Sequence, residues 1–246
     1  MVETGAPPPP SLLSGAALFL DFDGTLVELA EAPDAIRVSG ELAPLIARLA
    51  ERLGGRLAIV SGRSIADLER HLDLGTIAVA GSHGAEIRCP GGVSGSPEPP
   101  SGLADAREAV IRFASGRDGL LVEHKPAGVA LHYRQAPEQS EIVASFMSGL
   151  ADGSGLSLLR GKMVAELRPP GADKGAALRA MMREPPFAGA RPLFVGDDIT
   201  DEDGFKAAAD LGGTGILIGP PRPTAAGWRL PDVAGLARWL GEAAGS

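Results

Sequence analysis

Two aspartates, Asp21 and Asp23, stand one residue apart directly after the apolar run Ala17–Leu20. Side chains two positions apart on an extended segment point to the same face, so these carboxylates are predicted to lie close together. Two like charges about 4 Å apart repel by roughly 4 kcal/mol in a partly screened site, so such a pair needs a cation beside it. Mg²⁺ is the natural candidate, because it prefers one or two carboxylates together with substrate phosphate.

Two simpler interpretations of this pair exist. Aspartate at the end of a strand often serves only the turn that follows. The residues also match the loose start of a calcium-binding EF-hand loop, but the twelfth position of that loop is Ala32 rather than glutamate, and a buried strand precedes it. The EF-hand is therefore excluded, and a catalytic role for the pair depends on support from the rest of the chain.

A second acidic cluster, residues 197–203, follows the apolar run Leu193–Val195. Acidic side chains favour the first turn of a helix, because they complement the positive end of the helix dipole. This preference accounts for Asp201 and the two acids after it, in a helix that Thr200 is predicted to cap. It does not account for Asp197, which leaves the strand before the helix begins, so Asp197 is predicted to share the cation with the first pair.

Two further motifs suit a bound anion. Ser61 and Gly62 follow the apolar run Leu57–Val60 and precede a predicted helix, so a hydroxyl and free backbone N–H groups meet at a helix N-terminus. Lys174 follows the predicted helix cap Asp173, where a cation opposes the helix dipole, and a residue that breaks a local preference is a candidate for function. The alternatives are an ordinary cap and turn for Ser61 and a solvent-exposed side chain for Lys174.

The elements that would position these residues alternate along the chain. Apolar runs of strand length alternate with helical patterns such as that of residues 42–53, whose leucines and Ile46 share one face. Strands that alternate with helices predict an α/β fold with a doubly wound parallel sheet. Ligands of such sheets bind beyond the carboxyl ends of the strands, where every motif above is predicted to lie.

The middle of the chain has a different pattern. Residues 89–102 are rich in Pro, Gly and Ser and predict an exposed loop. The helical patterns and hairpin after it predict an antiparallel sheet, in which Val129 faces helices and Ala130 and His132 form a polar face. We expect a flexible proline-rich tail over residues 1–14, a core formed by residues 15–86 and 165–246, and an inserted α+β domain over residues 87–164.

Composition restricts the partners of the chain. Its 246 residues carry a net charge of −8, which disfavours a nucleic-acid surface. No apolar stretch reaches the roughly 18 residues of a membrane span, and nothing in the sequence predicts an obligate protein partner. The single cysteine, Cys89, excludes an intrachain disulfide and a cysteine-based metal site, which suits a reducing compartment such as the cytoplasm.

The motifs together resemble a known family. Asp21–Thr25, Ser61, Lys174 and residues 196–198, in this order, resemble the four motifs of the haloacid dehalogenase-like phosphatases. The placement of the insertion resembles their C2-type cap domain, so the resemblance implies a Rossmann-like core with a C2-type cap. Within that superfamily the chain resembles the trehalose-phosphatase family. The segments that carry this further similarity are residues 60–63, 81–84, 123–125, 164–169 and 196–202.

The resemblance implies a mechanism and a set of site residues. Asp21 would be the nucleophile that forms an aspartyl-phosphate, and Asp23 would be the general acid and base. Mg²⁺ would be held by Asp21, by the backbone carbonyl of Asp23 and by Asp197. The phosphate would be held by Ser61, Gly62 and Lys174. The predicted substrate-binding residues are Arg63, Glu123, Lys125, His132, Arg134 and Glu166.

These substrate-binding residues rest on two kinds of argument. Glu123, Lys125 and Glu166 match sugar-binding positions of the family. His132 and Arg134 are added because they share the polar face by strand parity. The alternative for this face is an ordinary solvated sheet surface.

The resemblance predicts a Mg²⁺-dependent hydrolase that removes phosphate from a small-molecule sugar phosphate, trehalose 6-phosphate, to give trehalose. The alternatives are a related phosphatase for sucrose phosphate or mannosyl-phosphoglycerate, a phosphomutase that needs a phosphorylated activator, and a non-catalytic sugar-phosphate sensor. A sensor is expected to have lost one of the four motifs, whereas all four are intact in this sequence.

Overall fold

The computed structural model describes residues 7–30, 36–90, 94–95, 100–161 and 163–245 of the chain. The chain divides into two compact units. The core unit consists of Met1–Ser94 and Asp173–Ser246, and the inserted unit consists of Gly95–Ala172. Among the residues described, none of the helices combines the length and the apolar character needed to span a membrane.

Strands and helices alternate along most of the described chain. The strands are β1 (Ala16–Leu20), β2 (Leu57–Val60), β3 (Ala78–Gly81), β4 (Glu86–Arg88), β5 (Ser94–Gly95), β6 (Leu121–Lys125), β7 (Gly128–His132), β8 (Ser157–Gly161), β9 (Val164–Arg168), β10 (Arg191–Gly196), β11 (Thr214–Ile218) and β12 (Trp228–Leu230). The helices are α1 (Leu42–Arg52), α2 (Ile65–His71), α3 (Leu103–Ala114), α4 (Ser140–Ser154), α5 (Lys174–Met181), α6 (Glu202–Asp210) and α7 (Val233–Gly245).

The core unit is built on one sheet, whose strand order is β12-β11-β10-β1-β2-β3-β4-β5 over the residues described. Neighbouring strands from β12 to β3 pair in parallel, and β4 pairs antiparallel with β3. Strands β1, β2 and β10 therefore end at the same edge of the sheet. The motifs that follow them, beginning at Asp21, Ser61 and Asp197, are brought to that edge.

Helices cover both faces of the core sheet. Along β1, Leu18 and Leu20 join an apolar cluster with residues of α1 and α7, while Ala17 and Phe19 join a second cluster with residues of α5 and α6. Because both faces are buried, β1 is a continuous apolar run without polar alternation. The predicted α/β fold with a doubly wound parallel sheet is confirmed.

The N-terminal segment differs from the flexible tail predicted for residues 1–14, of which residues 1–6 lie outside the described residues. The rest packs on the core unit: a 3-10 turn forms at Pro10–Leu13, and the Trp239 indole nitrogen donates a hydrogen bond to the Pro8 carbonyl at 2.7 Å. A buried indole N–H needs an acceptor, and this carbonyl supplies it. Helix α7 therefore holds the segment in place.

The inserted unit contains an antiparallel sheet in the order β6-β7-β9-β8. On one face of this sheet, Val129, Leu131, Ala165 and Leu167 pack with buried residues of α3 and α4. The other face carries polar side chains. The predicted alternation of an apolar, helix-covered face with a polar face is confirmed for these strands.

The boundaries of the inserted unit lie later in the chain than the predicted residues 87 and 164. Strand β4 pairs with β3 and belongs to the core sheet. Strand β9 pairs with β7 and β8 and belongs to the inserted sheet. Hydrogen bonding between strands, which composition does not report, sets these limits.

The exposed loop predicted for residues 89–102 begins later than expected, because its first residue is buried. Cys89 is buried and packs with the second apolar cluster of the core sheet, because it directly follows β4. Residues 91–93 and 96–99 of that loop lie outside the described residues.

Candidate active site

Asp21 follows β1 and lies in a buried polar cluster. Its backbone N–H donates to the Val195 carbonyl, which continues the pairing of β1 with β10. Its side chain is almost inaccessible to solvent, and Oδ1 accepts a hydrogen bond from Lys174 Nζ at 2.7 Å. The Thr25 hydroxyl lies 3.3 Å from Oδ2. The predicted nucleophile is therefore held from both of its oxygens.

Lys174 is buried at the start of α5. Asp173 caps this helix by accepting the Ala176 N–H at 2.7 Å, as predicted. The Lys174 ammonium contacts the carboxylates of Asp21 and Asp201, each at 2.7 Å. These two ion pairs explain why a cation occupies a position that the helix dipole disfavours.

Asp198, rather than the predicted Thr200, begins the helical segment after β10. It caps a 3-10 turn over Ile199–Asp201, which leads directly into α6. The Asp201 side chain in return accepts the Asp198 N–H at 2.9 Å. This reciprocal capping box fixes the turn that carries Asp197.

Asp201 has a larger role than the helix charge predicted from the sequence. Its side chain is fully buried, Oδ1 accepts from Lys174 at 2.7 Å, and Oδ2 accepts the Asp197 N–H at 3.0 Å. The helix dipole, which was predicted to account for Asp201, does not explain these contacts. The sequence did contain a signal, because Asp201 stands three residues after Asp198, which is the spacing of a capping box.

Two glycines let these carboxylates approach the strand ends. A Cβ on Gly24, whose φ is +77°, would lie 2.3 Å from Asp197 Oδ2, and a Cβ on Gly196 would lie 2.2 Å from Asp201 Cγ. Neither position can accept a side chain without displacing an aspartate. The Thr25 hydroxyl, 3.2 Å from Asp197 Oδ1, links Asp197 to the loop after β1.

The charges in this cluster perturb one another. Burial raises the pKa of Asp21 well above its usual value, and the carboxylates of Asp201 and Asp197 add to this rise although Lys174 opposes it. Burial, and then Asp201, raise the pKa of Asp197 to about 6. Burial alone would lower the pKa of Lys174, but Asp201 and Asp21 outweigh it and raise that pKa. The cluster therefore holds more negative charge than Lys174 neutralises.

A group of carboxylates suited to a metal ion is formed by Asp21, Asp197 and Asp201, with one oxygen of each within 4.8 Å of the others. An oxygen-only set of donors favours a hard cation, and such a cation would offset the excess negative charge. Asp201 Oδ2 already accepts two backbone N–H groups and Oδ1 accepts Lys174. Asp21 and Asp197 are therefore better placed than Asp201 to offer an oxygen to an ion.

The loop after β2 carries Ser61, Gly62 and Arg63. Ser61 is buried, and its hydroxyl accepts the Arg63 N–H at 3.1 Å. A Cβ on Gly62 would lie 2.6 Å from the His83 ring, so that ring packs directly against the loop. Because β2 pairs in parallel with β1, this loop leaves the sheet at the same edge as Asp21.

Asp23 is engaged by Arg63 rather than by the carboxylate cluster. Arg63 Nε donates to Asp23 Oδ2 at 2.7 Å, and Nη2 donates to Oδ1 at 2.8 Å. Arg63 Nη1 donates to Asp67 Oδ2 at 2.7 Å. The predicted contact of Asp23 with the cation uses only its backbone carbonyl, so the ion pair of its side chain with Arg63 does not conflict with that prediction.

The predicted sugar-binding residues of the inserted unit lie on or next to the polar face of its sheet. Glu123 and Glu166 share one row across β6, β7 and β9. Lys125 forms a buried ion pair with Glu166, and His132 Nε2 lies 2.8 Å from Glu123 Oε2. Arg134 is exposed beyond the end of β7.

Arg222 supports the site, although no motif in the sequence signals it. Its Nη2 donates to the Asp198 carbonyl at 2.8 Å, and its Nη1 forms an ion pair with Glu202. It stands 24 residues after Asp198, in a loop between β11 and β12. A contact over that separation leaves no periodic trace in the sequence.

Comparisons with known proteins identify the family. The sequence model of the family described as trehalose-phosphatase matches residues 19–234. The Sinorhizobium fredii protein named "Probable trehalose-phosphate phosphatase" is 39% identical over 213 residues, which cover 86% of this chain and 80% of that protein. The Escherichia coli protein named "Trehalose-6-phosphate phosphatase" is 36% identical over 233 residues, which cover 94% of this chain and 87% of that protein.

Solved structures share the fold. The crystal structure of a trehalose-6-phosphate phosphatase related protein has a TM-score of 0.79 and 29% identity, and the match covers 92% of this chain and 96% of that one. The C-terminal domain of the C. albicans trehalose-6-phosphate phosphatase has a TM-score of 0.80 and 23% identity, with 99% of each chain covered. The chain therefore belongs to the trehalose-phosphatase family of haloacid dehalogenase-like phosphatases.

Proposed function

We propose that this chain is a Mg²⁺-dependent hydrolase that removes phosphate from trehalose 6-phosphate to give trehalose. The observation that carries the proposal is the buried contact of Asp21 with Lys174, beside Asp197, in a chain of the trehalose-phosphatase family. Phosphate release from trehalose 6-phosphate, sucrose 6-phosphate, mannosyl-phosphoglycerate and glucose 6-phosphate tests it. Preference for another sugar phosphate contradicts the named substrate alone, whereas no release from any of them contradicts the hydrolase.

In the first step, an oxygen of Asp21 attacks phosphorus and supplies the electron pair of the new bond. The bond between phosphorus and the sugar oxygen breaks, and its electrons remain on that oxygen. The oxygen takes a proton from the Asp23 carboxyl, because a sugar alkoxide is a poor leaving group. Trehalose departs, and Asp21 carries the phosphoryl group.

In the second step, a water molecule attacks phosphorus while Asp23, now a carboxylate, takes its proton. The bond between phosphorus and the Asp21 oxygen breaks, and its electrons return to the carboxylate. Phosphate leaves, Asp21 is free again and Asp23 is again protonated. The two steps together consume one water and leave the protein unchanged.

Lys174, Ser61 and Gly62 are the proposed phosphate-binding residues. An ammonium has three N–H donors, and the contacts of Lys174 with Asp21 and Asp201 use two of them, so a third can meet a phosphoryl oxygen. Ser61 leaves the strand next to β1, where its hydroxyl and the N–H groups of the loop can donate to the same group.

Asp21, Asp197 and the backbone carbonyl of Asp23 are the proposed ligands of Mg²⁺. The fit rests on the oxygen-only donors and on the three carboxylates that share one lysine. Burial, and then the neighbouring carboxylates, raise the pKa of both Asp21 and Asp197. When bound, the ion supplies positive charge that neutralises the phosphoryl oxygens and so favours attack by a carboxylate.

Removal of divalent cations is expected to abolish phosphate release and to lower the melting temperature. An ion that binds only the folded chain stabilises it by mass action, by about 2.7 kcal/mol at a concentration 100 times its Kd. The melting temperature is measured in EDTA and then with Mg²⁺ in excess. Asp197→Asn is expected to reduce the shift that Mg²⁺ produces. Full activity after exhaustive chelation would contradict the metal site.

We propose that the polar face of the inserted unit binds the sugar, through Glu123, Lys125 and Glu166 with His132 and Arg134 beside them. Carboxylates and an ammonium form charge-assisted hydrogen bonds with sugar hydroxyls. The buried ion pair of Lys125 with Glu166 holds both groups in fixed positions before a sugar arrives. Discrimination between phosphate esters would then come from this face, since the phosphate chemistry itself suits any ester.

Single changes Glu123→Ala, Lys125→Ala and Glu166→Ala are each expected to lower kcat/KM for trehalose 6-phosphate by at least about 10-fold, or about 1.4 kcal/mol. Hydrolysis of a small aryl phosphate should barely change, because it has no second sugar to hold. The Lys125 and Glu166 changes should be non-additive, since the two side chains pair. Equal loss on both substrates would mean that these residues are structural.

A further inference from the structure

The guanidinium of Arg63 grips the carboxylate of Asp23 with two parallel hydrogen bonds. Nε and Nη2 reach the two oxygens at 2.7 and 2.8 Å. A bidentate pair of this kind fixes direction as well as distance, because the planar fork matches the planar carboxylate. The Asp23 side chain is 29% exposed, so without this partner it could turn among several rotamers.

Arg63 is itself held by residues of its own loop, of α2 and of the segment after β3. None of these belongs to the loop that carries Asp23. Nη1 donates to Asp67 Oδ2 at 2.7 Å, and the Asp67 N–H is held by the Ser64 hydroxyl at 3.1 Å. The Arg63 carbonyl accepts the Ser82 N–H at 2.7 Å, and the Arg63 N–H donates to the Ser61 hydroxyl. The backbone and the guanidinium of Arg63 are therefore both held in place before any substrate binds.

Asp67 also contacts two side chains of its own helix, α2. Its Oδ1 lies 2.7 Å from Arg70 Nη2 and 3.9 Å from His71 Nε2. The side chain of Arg63 is only 11% exposed, and that of Asp67 is 17% exposed. A partly desolvated pair with satisfied partners is held more rigidly than a solvated surface pair.

The Arg63 fork leaves Asp23 able to act. A carboxylate has about four lone-pair positions, and the two hydrogen bonds from Arg63 occupy one on each oxygen. The remaining positions can hold a proton and deliver it while Arg63 stays in place. A group that orients an acid or base in this way acts like the third member of a catalytic triad.

We propose that Arg63, anchored by Asp67, is a positioning residue that directs the Asp23 carboxyl toward the leaving oxygen, rather than a residue that binds the sugar. This inference rests on the proposed function, because it needs Asp23 to carry the proton. In the step concerned, the phosphorus–oxygen bond breaks as the Asp21–phosphorus bond forms, and the departing oxygen takes the Asp23 proton. Only departing groups that need this proton should depend on Arg63.

The test compares two esters of similar size that carry no sugar. Benzyl phosphate releases an alcohol and needs the proton, whereas p-nitrophenyl phosphate releases a good leaving group and does not. Arg63→Met should lower kcat/KM for benzyl phosphate by about 10-fold or more, and that for p-nitrophenyl phosphate by less than about 3-fold. Arg63→Lys should not rescue the loss, because an ammonium lacks the planar fork. Asp67→Asn should reproduce part of it.

The surface pair of Arg179 with Asp210 provides a matched control. Arg179→Met should leave both esters unchanged, and the melting temperature of every variant is measured to exclude unfolding. A double-mutant cycle measured with trehalose 6-phosphate adds a second readout. In a protein that already carries Asp23→Asn, Arg63→Met should cause little further loss of kcat/KM. Full rescue by lysine would show that Arg63 supplies charge alone and would overturn the inference.

The other outcomes separate the competing roles of Arg63. Equal loss on both esters would overturn the inference in favour of a structural or phosphate-binding role. Loss on trehalose 6-phosphate alone would assign Arg63 to the sugar. If the wild-type chain cleaves the two simple esters but no sugar phosphate, the named substrate fails while the inference remains testable on those esters. If the wild-type chain releases phosphate from no ester, the proposed function and the inference both fall.

Discussion

Asp21→Asn should reduce turnover of trehalose 6-phosphate by roughly 10⁴-fold or more, because an amide does not supply the attacking electron pair. The variant should stay folded. Burial and neighbouring carboxylates raise the pKa of Asp21, which means that its charge is costly in the folded chain, and the amide removes that charge. We therefore expect a metal-free melting temperature no lower than that of the wild type.

Asp23→Asn is the companion to this experiment, because it removes the proton carrier but keeps the nucleophile and the backbone carbonyl. It should also lose turnover on sugar phosphates. With p-nitrophenyl phosphate, whose leaving group needs no proton, it should accumulate a phosphorylated protein that Asp21→Asn cannot form. Acid-quenched samples analysed by intact mass distinguish the two variants. Wild-type turnover by a folded Asp21→Asn protein would contradict the covalent mechanism.

Lys174→Met should lower both activity and stability. The change removes the cation that pairs with Asp21 and Asp201 and leaves the carboxylate cluster without a positive charge. Removing one partner of a buried ion pair lowers the free energy of unfolding by about 3–5 kcal/mol. For a chain of this size the melting temperature should fall by roughly 6–20 °C. Activity should fall too, because Lys174 is the proposed donor to the phosphoryl oxygens.

Lys206→Met is the matched control, since Lys206 is an exposed lysine on α6. Its melting temperature and activity should stay near those of the wild type. Excess Mg²⁺ should restore part of the stability of Lys174→Met, because the ion offsets the same carboxylate charges. Equal melting temperatures for the wild type and Lys174→Met in EDTA would contradict the view that Lys174 holds this cluster together.

Local patterns in the sequence were sufficient for most of the fold. Continuous apolar runs indicate strands buried on both faces, and β1 packs into an apolar cluster on each side. Alternation in β7 separated Val129, which the helices cover, from the polar face of the same sheet, to which Glu166 of β9 also belongs. The cap at Asp173 was also predicted, because a cap depends on residues only three positions away.

Boundaries that depend on strand pairing were predicted less well. The inserted unit starts and ends later than expected, because β4 bonds to the core sheet and β9 bonds to the inserted sheet. Composition does not report which strand a segment will bond to. The segment from Pro8 to Leu13 was expected to be a flexible tail. Its packing was not predicted, because the hydrogen bond from Trp239 to the Pro8 carbonyl joins residues 231 positions apart.

The sequence by itself determined that the two acidic clusters and Ser61 lie at one edge of a sheet, because parallel strands bring their carboxyl ends together there. Only the tertiary structure decided which charges touch. Lys174 contacts Asp21 across 153 positions, and Arg63 grips Asp23 across 40. Such contacts depend on strand order and on glycines that admit a side chain, as Gly24 admits Asp197. Periodicity constrains neighbours a few residues apart, whereas ion pairs over these separations are selected by packing and burial of the whole core.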